Sequence, residues 1–523
     1  MMLISKIINN KFFRYFLFLF SIFYSLSFIT WSLWEDNYYY YNLFAKYYEY
    51  AMIPFSLFVG KIFINYVSGN ILWLNFFAWL LCFSSLLIAY FGWTKKEERL
   101  KYLNFLSIGL IFLGFGTFST YSPDTLTLFF LVLSCYCLCK QPLGKLYTLF
   151  SVSLLTAFLI ASRFPNIVFL PVATLYIGVR CSLCGLSKFE GFRNAFIYMV
   201  LSLLFYWLLM YALIGRADLF NAIRDSILVP VSSYNTHSIK DLINNYRGDF
   251  FLSFKAFSWV VGTITIPFIL GWAQNKKRAF QMVGWLPLVY LLYKEQPQLV
   301  GAMYGWKSLF GFLAIFLMIC LIIKKEFEPF FTINCVLLAS AGFVMAAGSD
   351  TGLMKIGVFF SAISPIILLE YNRQYKFNFY SGGILMIASL FALYYHVVPL
   401  KGFFPISITQ YDKSTQVLPL YRKNQLESCL TNVEKYGLKD HCIFCGILGF
   451  RVQAICGSKL LYHNSFWQHA DDGIETDNII RIMKSDPQCV VFDYNNSLVL
   501  KKKMESIGAK CVLQSKNETI YKH

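Results

Sequence analysis

Charge is scarce in this chain. Only 14% of its 523 residues are charged, against 57% that are hydrophobic, whereas a soluble domain carries about 25% charge. A large water-soluble core is excluded, and a polytopic α-helical membrane protein is predicted, in keeping with a mean hydropathy of +0.54. Acids are scarcer still, 28 against 46 Lys and Arg, for a net charge of +18. The basic residues stand in short clusters between apolar runs, which is the positive-inside pattern of membrane proteins, so no nucleic-acid partner is expected. Nor does the chain carry a Gly-rich phosphate loop, an internal repeat or a low-complexity tract. No small-residue cleavage site follows the first hydrophobic run, which reads as a retained helix rather than a signal peptide.

Two half-motifs lack their complements. Cys181-x-x-Cys184 and Cys442-x-x-Cys445 each supply half of a zinc site, with no second pair at suitable spacing. His441, His463 and His469 lie near the latter, yet disulfides or free thiols are the favoured reading. The cysteines fall into two sets. Cys82, Cys135, Cys137, Cys139, Cys181, Cys184, Cys320 and Cys335 lie in or beside the apolar part, whereas Cys429, Cys442, Cys445, Cys456, Cys489 and Cys511 crowd a polar tail. Six cysteines in a small tail permit disulfides in an oxidising compartment, in any of about 15 connectivities.

What is abundant is apolar sequence. Its runs predict about thirteen transmembrane helices. With Lys6, Lys11 and Arg14 inside, the alternate inner loops carry Lys95, Lys96, Arg99 and Lys101; Lys140 and Lys145; Arg180, Lys188 and Arg193; Lys276, Lys277 and Arg278; Lys324 and Lys325; and Arg373 and Lys376. The outer loops are longer and poorer in base for their length. An odd number of spans puts the tail outside, in agreement with its cysteines. Residues 1–400 are thus expected to form the membrane domain, with an interfacial segment over 35–66 and an outer loop over 215–252. Residues 401–523 are expected to form a small extracytoplasmic α/β domain. Helices are predicted at Asn424–Tyr436, stopped by Gly437, and Ser497–Ile507, stopped by Gly508. Strands are predicted at Gln488–Asp493 and Lys510–Leu513.

Charge at the outer face is the informative feature. Tyr15 to Leu33 is long enough to cross a bilayer, and Glu35 and Asp36 follow at its outer end. An ionisable group near membrane depth costs roughly 2.5–3.5 kcal/mol, which makes the pair a candidate functional site; a solvated acidic cap is the plain alternative. A tyrosine-rich stretch follows, holding Tyr38 to Tyr41, Tyr47, Tyr48 and Tyr50, suited to the headgroup layer and expected to break near Pro54. The next outer turns are Thr120-Tyr121-Ser122-Pro123-Asp124 and Ser162-Arg163-Phe164-Pro165-Asn166. Later ones hold Arg216, Arg224, His237 and Lys240, then Lys294, then Gly348-Ser349-Asp350-Thr351-Gly352 with Lys355.

An acid after the first span, a Tyr-rich interfacial segment, a Pro-Asp at the second outer turn and an Arg-x-Pro at the third resemble the GT-C glycosyltransferases. The branch most similar holds the protein O-mannosyltransferases and the lipid A aminoarabinose transferase. The motifs cover about the first 180 residues; beyond them the likeness is one of architecture. The resemblance implies transfer of a sugar from a polyprenyl-phosphate-linked donor to a lipid, glycan or protein acceptor at the outer membrane face. It also implies inversion at the anomeric carbon, with Asp36 as the general base and Glu35 assisting. Transfer to a hydroxyl needs a base for the acceptor proton and cations for the departing phosphate. Asp124 matches the acid of the second turn, with a helix cap as its other reading. Arg163 offers a planar fork to donor phosphate or to Asp124, with headgroup snorkelling as the alternative. Arg216, Arg224, His237, Lys240 and Lys294 are further substrate-phosphate candidates, and Asp350 and Lys355 flank a turn that would shape the sugar pocket. Some family members use a divalent metal ion and others none; no ligand set is assigned here.

Two competing functions are weaker. An outer-face polysaccharide polymerase or ligase would place its chemistry in later, larger loops. A transporter or flippase for lipid-linked sugars would keep ionisable groups near mid-membrane and often show paired halves. The expected location is a bacterial inner membrane, the N-terminus cytoplasmic and the tail periplasmic, with the endoplasmic reticulum as the alternative.

Overall fold

The structure, a computed structural model, describes residues 11–30, 41, 44, 53–100, 102–113, 121–215, 243–244, 246–248, 250–251, 299–347, 353–375, 406–411, 414–437, 441–456, 473–494, 496–515 and 518–522. The chain divides into two compact units, one of residues 1–22, 82–115 and 126–394, the other of 23–81, 116–125 and 395–523.

The helices before the tail are α1 (Lys11–Thr30), α2 (Pro54–Ile62, running into a π turn, Phe63–Val67), α3 (Ile71–Trp93), α4 (Leu103–Leu113), α5 (Pro123–Lys140), α6 (Leu146–Ser162), α7 (Phe169–Leu183), α8 (Lys188–Ile214), α9 (Leu299–Lys324), α10 (Pro329–Ala346) and α11 (Met354–Tyr375). Among the described residues, five stretches are long and apolar enough to cross a membrane: α3, α5, Phe164–Leu183, α8 and α10. The predicted count of about thirteen draws on sequence outside the described residues, 252–298 and 376–405 among it.

Pro54 begins α2, as a first-turn proline can, having no N–H to lose. The sequence expects a break near Pro54, and residues 45–52, just before it, lie outside the described residues. In the first unit, helices approach closely where side chains are small. A Cβ on Gly191 of α8 would lie 3.0 Å from the Gly178 carbonyl of α7, and one on Gly311 of α9 would lie 3.0 Å from the Gly357 amide of α11. Buried polar groups join α6 to α8: Ser153 donates to the Tyr198 carbonyl at 3.1 Å, and Thr156 and Tyr198 share a hydroxyl bond of 2.8 Å.

The basic ends of these helices are also tied together. Glu370 takes Lys325 at 3.2 Å and Arg373 at 2.6 Å, and Arg373 also holds Glu98. Three of the basic loops expected on one membrane face, at 95–101, 324–325 and 373, thus meet. Glu98 is held below the usual carboxylate range chiefly by its hydrogen bond from Arg373. Glu328 caps α10 by accepting from the Phe331 amide at 3.1 Å.

The tail forms β1 (Ile406–Tyr411), β2 (Ser414–Pro419), α12 (Leu420–Tyr436), β3 (Cys442–Cys445), α13 (Ile447–Cys456), α14 (Gly473–Ser485), β4 (Val490–Asp493), α15 (Leu498–Ser506), β5 (Lys510–Gln514) and β6 (Thr519–Lys522). β1 and β2 pair as an antiparallel hairpin, and the other four form a sheet in the order β3-β4-β6-β5, parallel only between β3 and β4. Those two parallel strands, Cys-Ile-Phe-Cys and Val-Val-Phe-Asp, are buried at every position, as strands covered on both faces must be. Ile443, Cys445 and Val491 pack on one side with Ile479 and Met483 of α14 and Leu500 and Met504 of α15. Cys442, Phe444, Val490 and Phe492 pack on the other with Leu426 and Cys429 of α12 and Val452 of α13. Cys442 and Cys445 therefore face opposite sides of the sheet, a geometry that prevents them from acting as one chelating pair. Gly508 ends α15 at φ +75°, in the left-handed region where a side chain would be strained.

Candidate functional site

The second outer turn is built around Tyr121, which is fully buried. Its hydroxyl donates to the Ser56 carbonyl in α2 at 3.0 Å, and its ring meets Phe44 edge-on at 5.2 Å and Phe77 of α3 at 5.6 Å. Phe77 in turn stacks on Phe63 at 5.1 Å. Tyr41 adds a further tie, donating to the Gly69 carbonyl at 2.6 Å. Buried tyrosines place a large apolar ring while their hydroxyls find a carbonyl, so they can staple one loop to another. Here the staple joins the turn at 121–125 to the segment that follows the first span.

Beyond Tyr121 the chain turns into α5. Ser122 stands at the N-cap, and its amide donates to Thr125 Oγ1 at 3.2 Å. Pro123 takes the first helical position and Asp124 the second. The cap reading of Asp124 is thereby refined: Ser122 occupies the cap, and Asp124 lies in the first turn, where the helix N-terminus favours negative charge. Residues 121–128 are all buried except Asp124, which is partly exposed. It is the one carboxylate of this turn, and its Oδ1 is shut off from solvent.

Arg163 takes a different position from that of an open phosphate ligand. It follows α6 in an extended conformation and leads into a 3-10 turn, Phe164–Val168, that contains Pro165. The side chain is 7% exposed. Nη1 donates to the Met345 carbonyl at 3.1 Å and Nη2 to the Ala347 carbonyl at 2.6 Å. Tyr246 donates to the carbonyl between them, that of Ala346, at 2.7 Å. Three successive carbonyls at the end of α10 thus receive donors from 163 and 246. The last carbonyls of a helix lack intrahelical partners and carry its negative dipole end, which a guanidinium satisfies on both counts. The neighbouring turn is fixed by Asn166, fully buried, whose Nδ2 donates to the Leu159 carbonyl and to Thr127 Oγ1, both at 2.8 Å.

Of the remaining sequence candidates, Lys355 lies in the first turn of α11 and is partly exposed. Asp124 belongs to the second unit, and Arg163 and Lys355 to the first. Glu35, Asp36, Arg216, Arg224, His237, Lys240, Lys294 and Asp350 lie outside the described residues. Among the described residues, no cluster of three or more His, Cys, Asp or Glu side chains could hold a metal ion. The packing and hydrogen-bonding roles of Tyr121 and Tyr246 escape sequence reading. The one available signal is a tyrosine set within an outer turn beside a carboxylate, as in Tyr121-Ser122-Pro123-Asp124.

No protein-family model matches the sequence, and no curated protein does. Among solved structures, the chain is similar to the archaeal oligosaccharyltransferase AglB from Archaeoglobus fulgidus in complex with an inhibitory peptide and a dolichol-phosphate. The identity is 11% and the TM-score 0.47, over 92% of this chain and 69% of that one. It is likewise similar to the Archaeoglobus fulgidus oligosaccharyltransferase in the apo form, at 11% identity and TM-score 0.47, over 92% of this chain and 70% of that one. A likeness at this level carries no argument about chemistry, which rests on the residues.

Proposed function

We propose that the protein is an integral-membrane glycosyltransferase that moves a sugar from a polyprenyl-phosphate-linked donor to a lipid, glycan or protein acceptor outside the membrane. The observation that carries this reading is the Tyr121 staple. Phe44, against which Tyr121 packs, is eight residues along the chain from Asp36, and Asp124 is three residues beyond Tyr121. The second outer turn is therefore anchored to Phe44 and Ser56, in the stretch of chain that follows the first span, by a buried ring and a hydrogen bond, which supports a site drawn from both stretches.

In the reaction, Asp36 takes the acceptor hydroxyl proton as the oxygen attacks the anomeric carbon, and the bond to the donor phosphate breaks with inversion. Glu35 positions Asp36 or the acceptor. Asp124, partly exposed at a helix N-terminus, orients the sugar or a cation beside the phosphate. Charge leaving with the phosphate is met by basic side chains of the outer loops, for which Arg216, Arg224, His237, Lys240 and Lys294 are the candidates. Asp350 and Lys355 line the sugar-facing turn. Arg163 acts one step back: it holds the end of α10, from which the 348–352 turn departs. The membrane is that of a bacterial cell, with the tail on the periplasmic side.

The reading is tested by giving the purified full-length protein radiolabelled polyprenyl-phosphate sugars together with a membrane extract from its source. Label is expected to pass to an acceptor in the extract and not to water alone. Absence of any transfer across the common polyprenyl-phosphate and diphosphate sugars would remove the proposal.

A further inference from the structure

The end of α10 is held from two directions. Arg163, in the third outer turn, donates to the Met345 and Ala347 carbonyls, and Tyr246 donates to the Ala346 carbonyl between them. Water satisfies such carbonyls where a helix end is open. Donors taken from two distant stretches of chain do more, because each bond also fixes where its own stretch lies. The stretch around Tyr246 has a second anchor: the Phe250 ring meets Phe312 of α9 edge-on at 5.8 Å.

The third outer turn is tied in the other direction as well. The Asn166 amide donates to the Arg163 carbonyl at 3.0 Å, which closes the turn, and Asn166 Nδ2 reaches Thr127 Oγ1 of α5 at 2.8 Å. Asn166 and Thr127 are both fully buried, so no water competes for this bond and it holds its geometry. A belt of hydrogen bonds therefore runs from the first turns of α5, through Asn166 and Arg163, to the end of α10 and on to Tyr246. Along the chain, the belt passes beside groups assigned to the transfer. Asp124 precedes Thr127 by three positions, Asp350 follows Ala347 by three, and Lys240 precedes Tyr246 by six. Groups that act on one substrate need fixed separations, and a shift of about 1 Å is enough to weaken their joint action.

We infer that Asn166 and Tyr246 are positioning residues for the sugar donor, an inference that rests on the proposed glycosyl transfer. Asn166 acts through Thr127 and the start of α5, and Tyr246 through the end of α10. With either bond cut, the joined segments spend only part of their time in the binding arrangement, and apparent donor affinity falls by that fraction. Bound donor restores the arrangement, so turnover at saturation is retained.

The test measures donor KM and kcat with the radiolabelled polyprenyl-phosphate sugar that the wild type transfers, beside melting temperature, in full-length Thr127→Val and Tyr246→Phe. The first exchanges a hydroxyl for a methyl and the second deletes one. Each is expected to raise donor KM about fivefold, the size of one hydrogen bond, with kcat within about twofold of the wild type. Ser153→Ala removes a buried hydroxyl that bonds α6 to α8. It is expected to lower the melting temperature and leave KM unchanged, which separates loss of stability from loss of position. Unchanged KM in either belt variant, a change confined to kcat, or an equal rise of KM in Ser153→Ala would overturn the positioning role. Should Thr127→Val fail to fold, Tyr246→Phe decides alone. Absence of transfer by the wild type is the separate signature of a failed glycosyltransferase reading, and it removes both.

Discussion

Arg163→Met separates two roles for one residue. If Arg163 clamps the end of α10, its loss is chiefly a loss of stability; if it binds donor phosphate, its loss is chiefly one of substrate affinity. The substitution removes two charge-assisted bonds, to Met345 and Ala347. Hydrogen bonds of this type contribute about 1.5–3 kcal/mol each, so roughly 3–6 kcal/mol is at stake. Met keeps the apolar stem and so leaves little cavity. Tyr246 still serves Ala346, and water entering at the helix end relieves part of the loss, which places the expected effect near 3 kcal/mol. At about 2–4 °C per kcal/mol, the apparent melting temperature should fall by roughly 6 °C or more, with scan rate held fixed because heat unfolding of such proteins is seldom reversible. Arg163→Lys retains the charge at the dipole end and loses the fork, and should lose about half as much. The assay is a melt of purified protein followed beside donor binding. A melting temperature for Arg163→Met within about 1 °C of wild type, together with lost donor binding, would refute the clamp.

Three further substitutions probe other parts of the fold. Tyr121→Phe deletes the bond to Ser56 and should cost about 1 kcal/mol, whereas Tyr121→Ala should cost roughly 3–5 kcal/mol and reduce transfer with it; equal melting of wild type and the alanine variant would remove the staple. Glu518 is 2% exposed, with one oxygen accepting from Asn432, while Oε2 and the nearby Tyr494 hydroxyl have no partner among the described residues. Burial holds its carboxyl above the usual range in spite of the Asn432 bond, so its stabilising contribution is complete below the unfolded value and is lost as pH rises through the folded one. Glu518→Gln should therefore flatten the loss of stability that sets in as pH rises above the ordinary carboxylate range, and a variant whose melting profile keeps the wild-type slope there would contradict the raised carboxyl. Glu98 carries the opposite sign: its lowered value contributes stability above the ordinary carboxylate range, lost as pH falls through the folded value. Arg373→Ala should abolish that acid-side dependence and cost about 1–2 kcal/mol near neutral pH, the pairs being only partly shielded from solvent; an unchanged acid limb would contradict it.

Much of the architecture can be read in the chain because it depends on local pattern. Apolar runs mark the spans, Pro54 marks the start of α2, and Gly437 and Gly508 mark the ends of two tail helices whose extents, Leu420–Tyr436 and Leu498–Ser506, lie close to those expected. The strands at 490–493 and 510–514 were visible from their β-branched and apolar composition. What local pattern does not hold is the choice of distant partner. Arg163 finds carbonyls 182 and 184 positions away, and Tyr121 one 65 positions away. An arginine beside a proline at an outer turn serves equally to bind phosphate or to cap a helix end, and only the approach of α10 distinguishes the two. The CxxC at 442–445 shows the same limit in reverse: it resembles half of a metal site until the strand period turns its thiols to opposite faces. Asp36, outside the described residues, remains a reading from sequence and resemblance.

The most direct measurement is transfer of radiolabelled sugar from a polyprenyl-phosphate donor by Asp36→Asn beside the wild type, with donor binding and melting temperature followed on the same samples. Asn keeps the size of the side chain and cannot accept the proton, so transfer should fall at least about a hundredfold, while donor binding and melting temperature stay near wild type. Undiminished turnover in Asp36→Asn would contradict the assignment of the base and direct the search to Asp124 and Asp350.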